Sequence, residues 1–170
     1  MALSVFDKLK RVRHLIFDVD GVLTDSQLLL TEEGHMLRSM NTRDGLGIKK
    51  ALGAGYSIAI ITGGSSNGVR IRLSKLGVSN IHTGIKDKKE ILDTLKTQHN
   101  WETDEILYMG DDCPDFPVMK EVGCAACPND AIAEIKAISD YISPINGGHG
   151  CVRDVIEKVL KLNGDWYAVE

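Results

Sequence analysis

The sequence has no excess of positive charge. Lysine and arginine number 20 against 24 aspartates and glutamates, a formal net charge of −4 with a pI near 5.7. Without a basic stripe, nucleic acid is not an expected partner. No apolar run approaches the roughly 20 residues of a membrane-spanning helix, so no membrane partner is expected. The N-terminal stretch Met1 to Arg13 lacks a basic segment ahead of an apolar core. A secretory leader is therefore not expected, and a cytoplasmic protein is. Repeats, low-complexity tracts and linkers are also missing. Cysteine occurs only at 113, 124, 127 and 151. Cys124 and Cys127, with His149 and Cys151, could make a zinc or redox set, but Cys124-Ala-Ala-Cys127 lies in an apolar run that reads as a buried strand. Packed, reduced thiols are the expectation there.

What is present suits one soluble domain spanning 1–170, with 43% hydrophobic and 26% charged residues. Residues 3–11 read as a short amphipathic helix capped by Ser4, lying over one end of a sheet. A strand is expected at 14–18. Residues 26–40 form two short runs around Glu33-Gly34, the pattern of a β-hairpin. Its leucines and methionines are too many for a ribbon alone in water, so it needs a partner such as a second subunit. From residue 43 helices alternate with strands. Helices are expected at 44–53, around Val69, Leu73 and Leu76, and at 87–98, 114–121, 129–138 and 151–162. Strands are expected at 56–61, 81–83, 106–109, 123–127 and 141–142. This order predicts an α/β fold, a doubly wound parallel sheet with helices on both faces and a hairpin insertion after the first strand. A Gly-rich loop and C-terminal helix or tail fill 144–170.

In such a sheet, ligands bind where the strands end. Asp18 and Asp20 follow the first strand, one residue apart, and can share a face. Thr62, Gly63 and Gly64 follow the second strand of the sheet, between it and a helix N-terminus, where free amides suit an anion. Lys86 and Lys88 follow the next strand. Gly110, Asp111, Asp112 and Asp115 follow the strand at 106–109. Taken singly, each has a bland reading as a turn or a solvated helix face. Together, carboxylates Asp18 and Asp111 can hold a hard divalent cation, and Mg2+ suits two carboxylates and a phosphate oxygen. Lys88 adds a positive charge for a dianion. The set describes a phosphate held between Mg2+, backbone donors and an ammonium.

These residues resemble the haloacid dehalogenase-like phosphohydrolase superfamily. The matching stretches are Asp18-Val-Asp20-Gly-Val-Leu-Thr-Asp25, Ile61-Thr62-Gly63, Lys88 and Gly110-Asp111-Asp112-x-x-Asp115. The resemblance implies that Asp18 is the nucleophile and carries an aspartyl-phosphate. Asp20 would protonate the leaving alcohol and then activate water. Mg2+ would sit on Asp18, the Asp20 backbone carbonyl and Asp111, while Thr62, Gly63 and Lys88 bind phosphoryl oxygens. Asp112 and Asp115 would support the site.

The chain has no room for a large cap domain. Its length, its hairpin, Met40-Asn41-Thr42-Arg43-Asp44-Gly45 and Gly147-Gly148-His149-Gly150-Cys151-Val152-Arg153 look like the capless 3-deoxy-D-manno-octulosonate 8-phosphate phosphatases. That resemblance implies a sugar-acid phosphate substrate in lipopolysaccharide precursor synthesis. It also implies a homotetramer joined through the hairpins, with a Gly-rich C-terminal segment that reaches a neighbouring site. Arg43 is the candidate for the sugar carboxylate, because a guanidinium binds carboxylates in a two-point fork. His149 is a candidate for substrate contact from the tail. One position departs: Gly64 stands where many members carry Arg and a sister group, acting on a nine-carbon sugar acid phosphate, carries Glu. That sister substrate, another small phosphate ester, and a non-catalytic binding or scaffold domain are the alternatives. A phospho-receiver domain would place its acidic pair differently.

Overall fold

Strand residues buried on both faces are apolar, and Leu15 to Phe17 of β1 (His14–Phe17) meet that condition, with half-buried His14 at the strand's start. Leu15 and Phe17 enter one hydrophobic cluster and Ile16 the other. The computed structural model describes residues 3–167; positions 1–2 and 168–170, the ends of the expected domain and tail, lie outside the described residues. After β1 come the hairpin strands β2 (Leu29–Leu30) and β3 (Met36–Leu37), then β4 (Ser57–Ile61), β5 (Asn80–His82), β6 (Ile106–Met109), β7 (Cys124–Cys127) and β8 (Tyr141–Ile142). The sheet runs β5-β4-β1-β6-β7-β8, with every neighbouring pair parallel. The helices are α1 (Val5–Arg11), α2 (Thr42–Gly53), α3 (Asn67–Lys75), α4 (Lys88–His99), α5 (Phe116–Met119), α6 (Ala133–Ile138) and α7 (Cys151–Asn163). Helices α1, α2, α3 and α7 pack on one face, and α4, α5 and α6 on the other. The expected doubly wound architecture is therefore the observed one.

From β1 the chain builds one side of the sheet through β4 and β5, then crosses to β6 on the other side. The crevice beyond the ends of β1 and β6 is thus the topological switch point, where a doubly wound sheet opens to ligands. Ser4 caps α1 in a capping box with Asp7. Ion pairs Lys8–Asp140 (2.6 Å) and Arg11–Asp104 (2.7 Å) tie α1 to the residues just before β8 and β6. The lid therefore covers the strands' starting ends, away from the crevice.

Some boundaries differ from the sequence reading for local reasons. Helix α2 starts at Thr42, because the Asn41 side chain accepts from the Arg43 amide. The expected helix at 129–138 starts only at Ala133: the Asn129 amide donates to the Ile145 carbonyl, and the Asp130 carboxylate accepts from the Gly147 amide. The expected helix at 114–121 becomes a tight turn, Cys113–Asp115, followed by α5. The hairpin has only two paired residues per strand, Leu29 with Leu37 and Leu30 with Met36. Its Leu29 and Leu30 are 68% and 64% exposed. The thiols of Cys124, Cys127 and Cys151 are buried and unlinked, as expected of packed side chains.

Candidate active site

Asp18 leaves β1 with its amide still bonded to the Met109 carbonyl at 3.1 Å, so the sheet itself places its side chain at the switch point. Beyond it, Val19–Leu23 coil into one tight turn. Gly21 adopts φ +95°, and a Cβ there would lie 2.0 Å from Asp111 Oδ2. Glycine is required twice over, for the backbone angle and for the approach of Asp111. The Thr24 hydroxyl closes the turn by donating to the Val19 carbonyl at 3.3 Å.

Lys88 sits at the first position of α4 with its side chain buried. Its Nζ lies 3.0 Å from Asp18 Oδ1 and 2.7 Å from Asp115 Oδ1. Asp115 is the best-satisfied acid of the group. One oxygen accepts from Lys88 and from the Tyr108 hydroxyl at 2.7 Å, and the other from the amides of Asp111 (3.0 Å) and Asp112 (3.3 Å). It therefore shapes the Gly110–Asp112 loop and holds Lys88 at once. Gly110 is needed against it, since a Cβ there would lie 2.4 Å from the Asp115 side chain.

This much negative charge shifts protons. Burial first, then the charge of Asp115, push the Asp18 carboxyl up to about 6 despite Lys88. Burial, then Asp115, Asp18 and Asp112, push Asp111 up to about 8. Burial alone would depress Lys88, but Asp18 and Asp115 outweigh it and hold the ammonium above its ordinary range.

Carboxylate oxygens of Asp18, Asp111 and Asp115 lie within 4.8 Å of one another, and among the described residues they are the one such group. Asp111 Oδ1 is buried without a hydrogen-bond partner. An unpartnered buried carboxylate oxygen beside two more acids fits a divalent cation. Asp115 has both oxygens engaged, which leaves Asp18 and Asp111 as the available donors. The Asp20 side chain is not in the cluster, so its expected share in metal binding rests on its backbone carbonyl. Cys124, Cys127, Cys151 and His149 form no metal-capable group among the described residues.

A cavity of about 370 Å³ opens over these acids, lined also by Asp20, Thr62, Gly63, Gly64, Lys86 and Asp112. Every strand-end residue expected at the rim except Gly110 thus reaches one space. The Gly64 amide donates to Thr62 Oγ1 at 3.2 Å. Arg43 and His149 behave differently. They line a separate cavity of about 470 Å³ over α7, with Arg153, Glu157 and Lys158, and neither lines the acidic one. The Gly-rich loop packs on its own chain: the Gly148 amide donates to the Val22 carbonyl at 2.9 Å, and a Cβ on Gly147 would lie 1.9 Å from the Gly21 oxygen. This loop therefore braces the Val19–Leu23 turn.

Three polar residues were missed by sequence reading. Tyr108 looked like an ordinary strand residue. Asp44 stood in a matching stretch with no role of its own, yet it is buried and accepts the Arg153 amide at 2.7 Å, capping α7 from α2. Burial pushes its carboxyl up to about 6 against the pull of Arg153. Arg38, just past β3, grips Asp20; a cation directly after exposed Met36-Leu37 was the available signal.

A model of haloacid dehalogenase-like hydrolases matches residues 69–156. The phosphatase KdsC of Escherichia coli strain K12, which acts on 3-deoxy-D-manno-octulosonate 8-phosphate by its name, is 35% identical over 161 residues, covering 95% of this chain and 86% of that protein. This chain belongs to the haloacid dehalogenase-like hydrolases. The Moraxella catarrhalis phosphatase of the same name, solved with magnesium, phosphate and the sugar acid, superposes with a TM-score of 0.93 at 35% identity, covering 96% of this chain and 94% of that one. The Yersinia pestis phosphatase gives 0.94 at 31% identity, covering 97% and 89%. The family and these relatives support a phosphomonoesterase.

Proposed function

We propose that this chain is a Mg2+-dependent phosphatase that hydrolyses 3-deoxy-D-manno-octulosonate 8-phosphate to the free sugar acid and phosphate. The observation that carries the reading is the buried line Asp18–Lys88–Asp115 beside the unpartnered oxygen of Asp111, at the switch point of a chain 35% identical to a phosphatase of that name. Asp18 attacks phosphorus, and its new O–P bond forms as the ester O–P bond breaks. Asp20 gives the leaving oxygen its proton. Water then attacks the aspartyl-phosphate, Asp20 takes a proton back, and Asp18 is restored as phosphate leaves. Thr62, Gly63 and Lys88 hold the phosphoryl oxygens, and Asp115 keeps Lys88 in reach. Mg2+ on Asp18, Asp111 and the Asp20 carbonyl would lower the repulsion between carboxylate and phosphate dianion.

In this reading residues 1–170 act as one domain, in the cytoplasm, and the exposed leucines of the hairpin join copies into a homotetramer. Arg43 and His149, in their separate cavity, have no substrate role within their own chain. The missing side chain at Gly64 favours testing the nine-carbon sugar acid phosphate as the second substrate. Phosphate release from the eight- and nine-carbon esters at saturating Mg2+, with Asp18→Asn as blank, decides the matter. Preference for the eight-carbon ester is expected, with turnover in Asp18→Asn reduced by about 10³-fold or more, as when a nucleophile is removed. Substantial turnover in that variant would remove the covalent route, and no turnover of any ester by the native chain would favour a binding domain.

A further inference from the structure

We propose that Arg38 is the positioning residue for Asp20, so that the hairpin reaches the reaction through this one side chain. The inference rests on the reading above, in which Asp20 serves as acid and base. Arg38 Nε donates to Asp20 Oδ1 at 2.6 Å, and Nη2 donates to Oδ2 at 3.1 Å. Its remaining arm, Nη1, donates to the Met36 carbonyl at 3.1 Å, which ties the guanidinium to the hairpin backbone. Among the described residues, nothing else donates a hydrogen bond to the Asp20 carboxylate. A two-point fork fixes both oxygens and therefore the plane of the carboxylate, which a single ammonium cannot do.

The surroundings are shaped for this pair. A Cβ on Gly64 would lie 3.0 Å from Asp20 Oδ2 and 3.3 Å from Arg38 Nη2. Glycine at 64 leaves the space the guanidinium occupies. The Arg38 side chain is only 9% exposed, whereas that of Asp20 is 36% exposed and faces the acidic cavity. Among the described residues, Arg38 also supplies the hydrogen bonds that tie the hairpin beyond its base to the rest of the chain. With the Asp20 side chain about a third exposed, the pair adds little to stability. Its loss should be read in the rate.

The test uses the full-length, Mg2+-loaded protein and two esters: the sugar acid phosphate, whose alkoxide needs a proton to leave, and p-nitrophenyl phosphate, whose phenolate does not. Arg38→Ala is expected to lower kcat for the sugar ester by about 10–100-fold, within the range of acid–base catalysis. KM should stay within about 3-fold, and p-nitrophenyl phosphate, which needs Asp20 to activate water but not to protonate the leaving group, should lose less rate than the sugar ester. Guanidinium added at low millimolar concentration should restore part of the lost rate, and Arg38→Lys should recover less than the native fork. A larger loss on p-nitrophenyl phosphate than on the sugar ester, no loss at all, or a loss that guanidinium leaves unchanged would each overturn the proposal. Asp20→Asn separates the two readings. Full turnover of the sugar ester by Asp20→Asn would remove the acid–base role and this inference with it. An inactive Asp20→Asn beside a fully active Arg38→Ala would remove this inference alone.

Discussion

Asp115 and Leu29 stand at opposite ends of how this molecule treats its side chains. Asp115 is 1% exposed and has partners on both oxygens from a lysine, a tyrosine and two amides. Leu29 is 68% exposed and has a ribbon only two residue pairs long to lean on. Asp115 finds all its partners within one chain, whereas a short apolar hairpin does not bury itself. The chain thus keeps its charge chemistry where its own fold is firmest. It leaves apolar surface exposed on the hairpin, and Arg38 joins the two regions.

The sharpest way to break this contrast is Lys88→Met. It removes the cation from two buried carboxylates, and breaking such a pair costs about 3–5 kcal/mol. Urea denaturation should show that loss, and turnover should vanish. A stable Lys88→Met would mean that the crevice does not depend on its internal pairing.

A smaller effect is expected from pH and metal. The carboxyls of Asp18 and Asp111 are raised to about 6 and about 8. The folded chain therefore binds their protons more tightly than the unfolded chain, whose carboxylates titrate near 4. Without Mg2+, their contribution to stability falls as pH rises from about 4 through about 8. Mg2+ should therefore raise the melting temperature more at pH 8.5 than at pH 6, and bind with proton release. A Mg2+ shift that does not change with pH would uncouple these acids from the metal.

The smallest effect on the chain itself should come from replacing Leu29 and Leu30 with Ser. These surface changes should alter the stability of the dissociated chain by no more than about 0.5 kcal/mol. Light scattering should nonetheless report a smaller assembly. A marked drop in chain stability at low concentration would show that the hairpin belongs to the core.

What the sequence disclosed was what local spacing can carry. An apolar run closed by acids marks a strand end, and repeating that pattern placed Asp18, Thr62, Lys88 and Asp111 on one rim. Contacts across the chain were not legible. Arg38 meets Asp20 only because the hairpin folds back, and Asp44 meets the Arg153 amide only because α2 and α7 pack together. The same packing carries Arg43 and His149, near the starts of those two helices, into a cavity of their own. Asp115 read as a supporting residue of the site, and only the fold reveals that it does so by holding Lys88.

The tight fit of Gly64 beneath Arg38 also sets an order of events for any lineage that changes this rim. A larger residue at 64, arriving first, would press its Cβ to 3.0 Å from Asp20 and 3.3 Å from the guanidinium, so the pair would have to shift. Arriving after Arg38 had been shortened, it would enter vacated space and could take over the grip on Asp20. The two positions are therefore coupled: a side chain at 64 meets less resistance on a background where Arg38 has already been shortened.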